Sequence, residues 1–234
     1  MDYRQLHDWN VTPEEARTLQ REMASQVRQE PLDINAVRWV AGADMSFDSA
    51  GDAETAPVFA GIVTLQLPEM TVVEQAGVQT VAPFPYVPGL LSFREVPPLL
   101  EVWSRLVHRP DALIADGYGL AHPRRFGLAC HLGLLLDLPT LGVAKTPFVG
   151  THAPVPNEIG GWSPIIHLGE TVGAALRTRV GVSPVYVSVG HRIDLLSAIA
   201  LTLRCVGKTR LPETTRHAHN YVNTLRREEK MSTA

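Results

Sequence analysis

Cysteine is nearly absent from this sequence: Cys130 and Cys205 are the only two in 234 residues. Each lies among apolar residues in a helix-like segment, and neither has a partner at zinc-ligand spacing. The expectation is two reduced core thiols, without a disulfide or a zinc site. Long hydrophobic runs are missing too. No stretch approaches the ~20 apolar residues of a membrane span, and the opening residues Met1 to Trp9 carry charges where a signal peptide needs an apolar run. A soluble, cytoplasmic protein is therefore expected; a monomer is the expectation for its assembly, although the sequence does not reveal whether it oligomerises. Excess charge of either sign is also lacking, since the net charge is −3, and total charge lends no support to a nucleic-acid partner. Its distribution is less even. Residues 1–60 hold 5 Lys/Arg against 11 Asp/Glu, whereas residues 117–211 hold 9 against 4. A basic face on an acidic protein and ordinary surface variation explain this equally well. Finally, Tyr186-Val187-Ser188-Val189-Gly190 lacks the first glycine of a nucleophile elbow, which sets a serine hydrolase aside.

With 45% hydrophobic residues and neither linker nor repeat, the chain can build one domain over residues 1–234. Thr12-Pro13-Glu14-Glu15 is a capping box with proline at the first helical position, and it predicts a helix to about Arg28. Val37–Ser46, Val58–Leu67 and Met70–Gln79 are rich in Val, Ile and Thr and read as an antiparallel meander. After a Pro/Gly-rich loop at 83–92 the period changes. Val96, Leu99, Leu100, Trp103, Leu106 and Val107 recur at helical spacing, and Ala112–Asp116 follows as a short apolar strand. A helix from about Pro123 to Leu136, strands at Thr140–Lys145 and Val185–Val189, and helices at Ile193–Cys205 and from Glu213 complete the order. Three antiparallel strands followed by strands alternating with helices predict an α/β fold. Its mixed sheet would continue with parallel strands between flanking helices, an order that fits a ribonuclease-H-like sheet.

Asp44 and Asp116 each end a short apolar strand, and they project from one edge if those strands are parallel neighbours. Carboxylates gathered there repel unless a cation neutralises them, and hard oxygen ligands favour magnesium or manganese. Such a centre suits phosphodiester hydrolysis. A lone Asp-Gly such as Asp116-Gly117 also reads as a simple turn. Glu95 is a third candidate, although at a helix start it could merely complement the macrodipole. Lys145 would meet the same edge and could stabilise phosphate charge, or serve as an ordinary surface cation.

Pro85-Tyr86-Val87-Pro88-Gly89-Leu90-Leu91-Ser92-Phe93-Arg94-Glu95 strongly resembles the signature of the endonuclease V family, deoxyinosine-specific repair nucleases. Further blocks resemble the family, in its order along the chain: 9–17, 40–46, 116–127, 142–145, 187–191 and 210–216. Two departures, Val189 before Gly190-His191 and Thr146 after Lys145, touch no proposed ligand. The resemblance implies a ribonuclease-H-like fold, Mg²⁺ (with Mn²⁺ able to substitute), and DNA containing deoxyinosine as partner. It implies hydrolysis of the second phosphodiester bond 3′ to the lesion, leaving 3′-hydroxyl and 5′-phosphate ends. Inosine-containing RNA is the alternative substrate.

The resemblance also assigns roles. Asp44, Glu95 and Asp116 become the metal ligands, with Lys145 and His219 joining them in catalysis. His219 shares a helical face with Val222 and Leu225, and the competing reading is a half-buried histidine packed on the sheet. Pro85, Tyr86, Val87 and Pro88 become a strand-separating wedge, stiffened by proline and offering an aromatic face; the alternative is a loop plugging its own core. Gly89, Leu91, Gly117, Gly119 and His122 become the lining of a pocket for the displaced base. Arg124 and Arg125, in a segment expected to open a helix, are the candidate phosphate contacts, or else surface cover.

Overall fold

The computed structural model describes residues 3–47 and 56–232. The capping box forms: Thr12 N–H donates to Glu15 at 2.7 Å and starts α1 (Pro13–Ala24). This helix ends four residues short of Arg28. The Arg28 N–H, which a helix would pair with the Ala24 carbonyl, instead donates to His191 Nδ1, and the Arg28 carbonyl accepts from Arg192 N–H.

The meander is β1 (Trp39–Phe47), β2 (Pro57–Gln66) and β3 (Thr71–Val81), antiparallel throughout. Helix α2 (Leu91–Arg105) starts at Leu91, so Glu95 lies in its second turn and not at its start. Strands β4 (Ala112–Ala115) and β5 (Thr140–Ala144), separated by α3 (Leu128–Leu136), are parallel to β1 and to each other. The sheet then departs from expectation. A hairpin of β6 (Trp162–His167) and β7 (Glu170–Leu176) leads to β8 (Val185–His191), which pairs antiparallel with β5. The observed order is β3-β2-β1-β4-β5-β8-β7-β6, a mixed sheet in which only the central pairs are parallel. The hairpin escapes sequence reading because β6 contains Pro164, which an edge strand tolerates, and β7 is built on Gly173-Ala174-Ala175.

Alternation sorts the central strands into two faces. Ala41, Ala43, Leu113 and Ala115 pack under α2 and α3. Val40, Ile114, Leu141 and Val143 face α4 (Leu195–Arg204). The long helix α5 (Glu213–Ser232) crosses the latter face over β1 and β2. Glycines make room for it: a Cβ on Gly42 would lie 2.1 Å from the Thr214 carbonyl oxygen, and one on Gly77 would lie 2.5 Å from Leu225. Both cysteines are free and fully buried, and burial pushes each thiol up to about 12. Among the described residues no helix is long and apolar enough to cross a membrane.

Candidate active site

Parallel pairing of Ala43 with Ala115 brings the next residues, Asp44 and Asp116, out at one sheet edge. By the same alternation Asp44, Asp116 and Lys145 follow positions facing α4 and α5. Lys145 Nζ donates to Asp116 Oδ2 at 2.9 Å. From α5, His219 Nδ1 donates to Asp44 Oδ2 at 2.8 Å, and Asn223 Nδ2 lies 3.1 Å from the other ring nitrogen. Asn223 in turn accepts from Ser46 Oγ at 3.2 Å, so the ring is held from both sides. His217 points elsewhere and sits 3.8 Å from Glu213.

Asp44, Asp116 and His219 each offer a ligand atom, all within 4.8 Å of one another, a set that could hold a metal ion. Glu95 is not a member of that triad, but it reaches the same edge from the opposite layer. Its carboxyl is pushed up to about 8, first by burial and then by the charges of Asp44 and Asp116, with Arg94 opposing. Burial, followed by the Asp116 charge, also raises Asp44, against the hydrogen bonds from His219 and Met45 N–H. Without a cation the cluster therefore retains a proton that a bound divalent ion would displace.

That repulsion predicts a pH dependence. A carboxyl whose folded pKa is raised binds its proton more tightly in the folded chain, so the resulting stability is complete below about pH 4.5 and is lost as pH approaches 8. Buried His122, held down to about 4, titrates below this window. The melting temperature of metal-free protein should fall from pH 7 to 8.5, and a divalent cation should raise it more at pH 8.5 than at pH 7. Thermal unfolding with cation or with chelator checks this; a cation effect independent of pH contradicts it.

Beside the acidic cluster opens a cavity of about 300 Å³. Glu95 and Asp116 border it, as do Gly89, Leu91, Gly117 and His122. Gly119 does not. Its Cα packs against β8, where a Cβ would lie 1.8 Å from the Val189 carbonyl oxygen, so its smallness serves strand packing. Among the lining residues given no role from the sequence are Gln20, Tyr118 and Phe148. The Tyr118 and Phe148 rings lie 5.0 Å apart, contributed by separate loops; Tyr118 lies within the 116–127 block, whereas no local motif marks Phe148. Tyr86 is 62% exposed at the cavity mouth, whereas Phe84 is buried and its carbonyl accepts from Arg94 Nη1 at 2.7 Å. Phe84, not Tyr86, is thus the ring that anchors the loop. Pro85 and Pro88 are exposed and Val87 is half-buried.

The expected helix over 123–127 does not form. Arg125 adopts a left-handed φ of 55° and Gly127 caps α3 in extended conformation, so residues 121–126 make turns. Hence no helix terminus stands at Arg124 and Arg125. Arg125 binds Glu170 Oε2 at 3.0 Å and the His167 carbonyl oxygen at 2.9 Å. Arg124 turns inward to Gly89 and Gln20.

The mixed sheet with carboxylates at the ends of its central parallel strands defines a ribonuclease-H-like fold of the nuclease kind. The endonuclease V family model matches residues 21–220, and the chain belongs to the endonuclease V family. It is 48% identical to the endonuclease V of Trichormus variabilis over 93% of this chain and 97% of that one. The crystal structure of endonuclease V from Streptomyces avermitilis has 44% identity and a TM-score of 0.88, covering 97% of this chain and 96% of that one. A Ciona intestinalis endonuclease V, in complex with a 23mer DNA containing an inosine followed by a ribo-adenosine, has 26% identity and a TM-score of 0.82 over 93% and 99% of the two chains.

Proposed function

We propose that this chain is a metal-dependent repair endonuclease that hydrolyses the second phosphodiester bond 3′ to deoxyinosine in DNA, leaving 3′-hydroxyl and 5′-phosphate ends, and that it acts as a cytoplasmic monomer. The observation that carries the reading is the shared wall: Glu95 and Asp116 border the base-sized cavity, and Asp116 also belongs to the Asp44–Asp116–His219 group. A base held in the cavity leaves its own strand running past the acidic edge.

Asp44, Asp116 and His219, with Glu95 beside them, would hold Mg²⁺ or Mn²⁺. Held by these residues, such an ion would make an attacking water more acidic and stabilise charge on the phosphate and leaving oxygen. Lys145, fixed on Asp116, adds positive charge at the same edge. Tyr86, exposed between Pro85 and Pro88, is suited to take the stacking place vacated by the displaced base, and unstacking that base costs a few kcal/mol. Leu91 and Ser92 begin α2 on the cavity wall, and Leu90 offers no side-chain cap, so backbone N–H groups are available to the hypoxanthine carbonyl.

A strand-labelled duplex with one deoxyinosine should be nicked with Mg²⁺ and left intact with chelator. Uncut duplex in both cases, beside an active control enzyme, refutes the proposal. A matched inosine-containing RNA, cut faster than the DNA, would transfer the activity to RNA.

A further inference from the structure

Gln20 is buried on α1, only 1% exposed. A buried amide needs partners, and this one finds them on two different loops. Its Nε2 donates to the carbonyl oxygens of Gly89 and Phe126, each at 3.1 Å, and its Oε1 accepts from Arg124 Nε. Gly89 stands on the 85–90 loop and Phe126 on the 117–127 loop, which both border the cavity through Gly89 and Gly127. One side chain thus ties the two loops together.

The Gly89 carbonyl is held further. His122 Nε2 donates to it at 3.0 Å and Arg124 Nη2 at 2.6 Å, so three donors converge on one oxygen. Gly89 has φ +78°, and a Cβ there would lie 2.8 Å from Arg124 Nη2; only glycine allows this approach. His122 has one tautomer consistent with its bonds: Nδ1 accepts from Arg124 N–H at 3.2 Å, so Nε2 carries the proton. The Arg124 guanidinium forms no carboxylate pair among the described residues. Arg17 and Arg21 of α1 face it with like charge and, after burial, lower its pKa. A cation held against two others by neutral oxygens is fixed for its geometry.

We infer that Gln20 and Arg124 are positioning residues for base discrimination: by saturating the Gly89 carbonyl they withdraw from the cavity wall an acceptor that adenine's exocyclic amine could use. Hypoxanthine has a carbonyl at that position and is not disfavoured by the loss, whereas adenine gains no hydrogen bond for entering. This rests on the deoxyinosine reading above.

The test compares wild type with Gln20→Met, which keeps volume without donors, and Arg124→Lys, which keeps charge without the planar fork. For each, kcat/KM is measured on a deoxyinosine duplex and on the same duplex with adenine, together with the salt dependence of duplex binding. Because two donors remain after either single change, the expected result is a fall in the inosine-to-adenine ratio in each variant and of roughly tenfold or more when the two are combined in Gln20→Met/Arg124→Lys, with the salt slope unchanged. An unchanged ratio in folded variants overturns the inference. Should Gln20→Met fail to fold by circular dichroism, Arg124→Lys decides alone. If wild type itself does not discriminate, the deoxyinosine reading falls and the inference falls with it; wild-type discrimination with unaltered variants removes the inference only.

Discussion

Asp116→Asn is expected to abolish cleavage while leaving the protein folded and able to bind duplex. The carboxylate belongs to the Asp44–Asp116–His219 group, borders the cavity and receives Lys145 at 2.9 Å. Losing it removes one negative ligand and disorders the lysine. A metal centre contributes several kcal/mol of transition-state stabilisation, so a rate fall of roughly 10³-fold or more is expected. Stability should move the other way. The exposed part of the Lys145 pair is worth at most about 1 kcal/mol, whereas the Asp116 charge raises both Glu95 and Asp44 in metal-free protein. Relieving that repulsion should leave the metal-free melting temperature unchanged or higher at pH 8. Single-turnover cleavage of a deoxyinosine duplex and thermal unfolding with chelator measure the two effects. A variant that cleaves as fast as wild type removes Asp116 from the metal centre.

Gly42→Ala should act on the same chemistry from beneath. Its Cβ would sit 2.1 Å from the Thr214 carbonyl oxygen and 2.8 Å from the Thr215 nitrogen, both backbone, so rotamer changes cannot relieve the clash. Helix α5 must lift. Overpacking in a close-packed interior costs about 1–3 kcal/mol and sometimes more, which for a chain of this length lowers the melting temperature by roughly 2–4 °C per kcal/mol. Because α5 carries His219 to Asp44, activity should fall even at temperatures where the variant is folded. Gly181→Ala provides the contrast, since Gly181 has nothing within 4 Å of its Cβ position and only backbone strain to answer for. Equal effects of the two substitutions would separate α5 packing from activity.

Much of this was legible in the residues. Asp44 and Asp116 each follow a short run of apolar residues that suits a buried strand, and such strands end where polar chemistry begins. Of His219, Val222 and Leu225, whose helical spacing predicts one inward-leaning face of α5, Val222 is fully buried and Leu225 partly so, while His219 stands exposed at the rim against Asp44. Position 119 misled because glycine has two unrelated uses, lining a ligand and admitting a neighbouring strand, and the sequence is identical for both. Arg124 and Arg125 misled because a left-handed residue at 125 interrupts a segment whose composition is helical.

By itself the sequence determined the order of elements, the carboxylates at two strand ends and the resemblance that joins them to a family. These depend on local periodicity and on motifs contiguous in the chain. Tertiary structure alone decided that β8 runs antiparallel to β5, that Glu95 enters from the opposite layer, and that Gln20 reaches across to Gly89 and Phe126. Those contacts join residues 69 and 106 positions apart. Nothing in the local chemistry of a glutamine on an amphipathic helix encodes which buried carbonyl it will meet; packing of the whole sheet and its helices settles that.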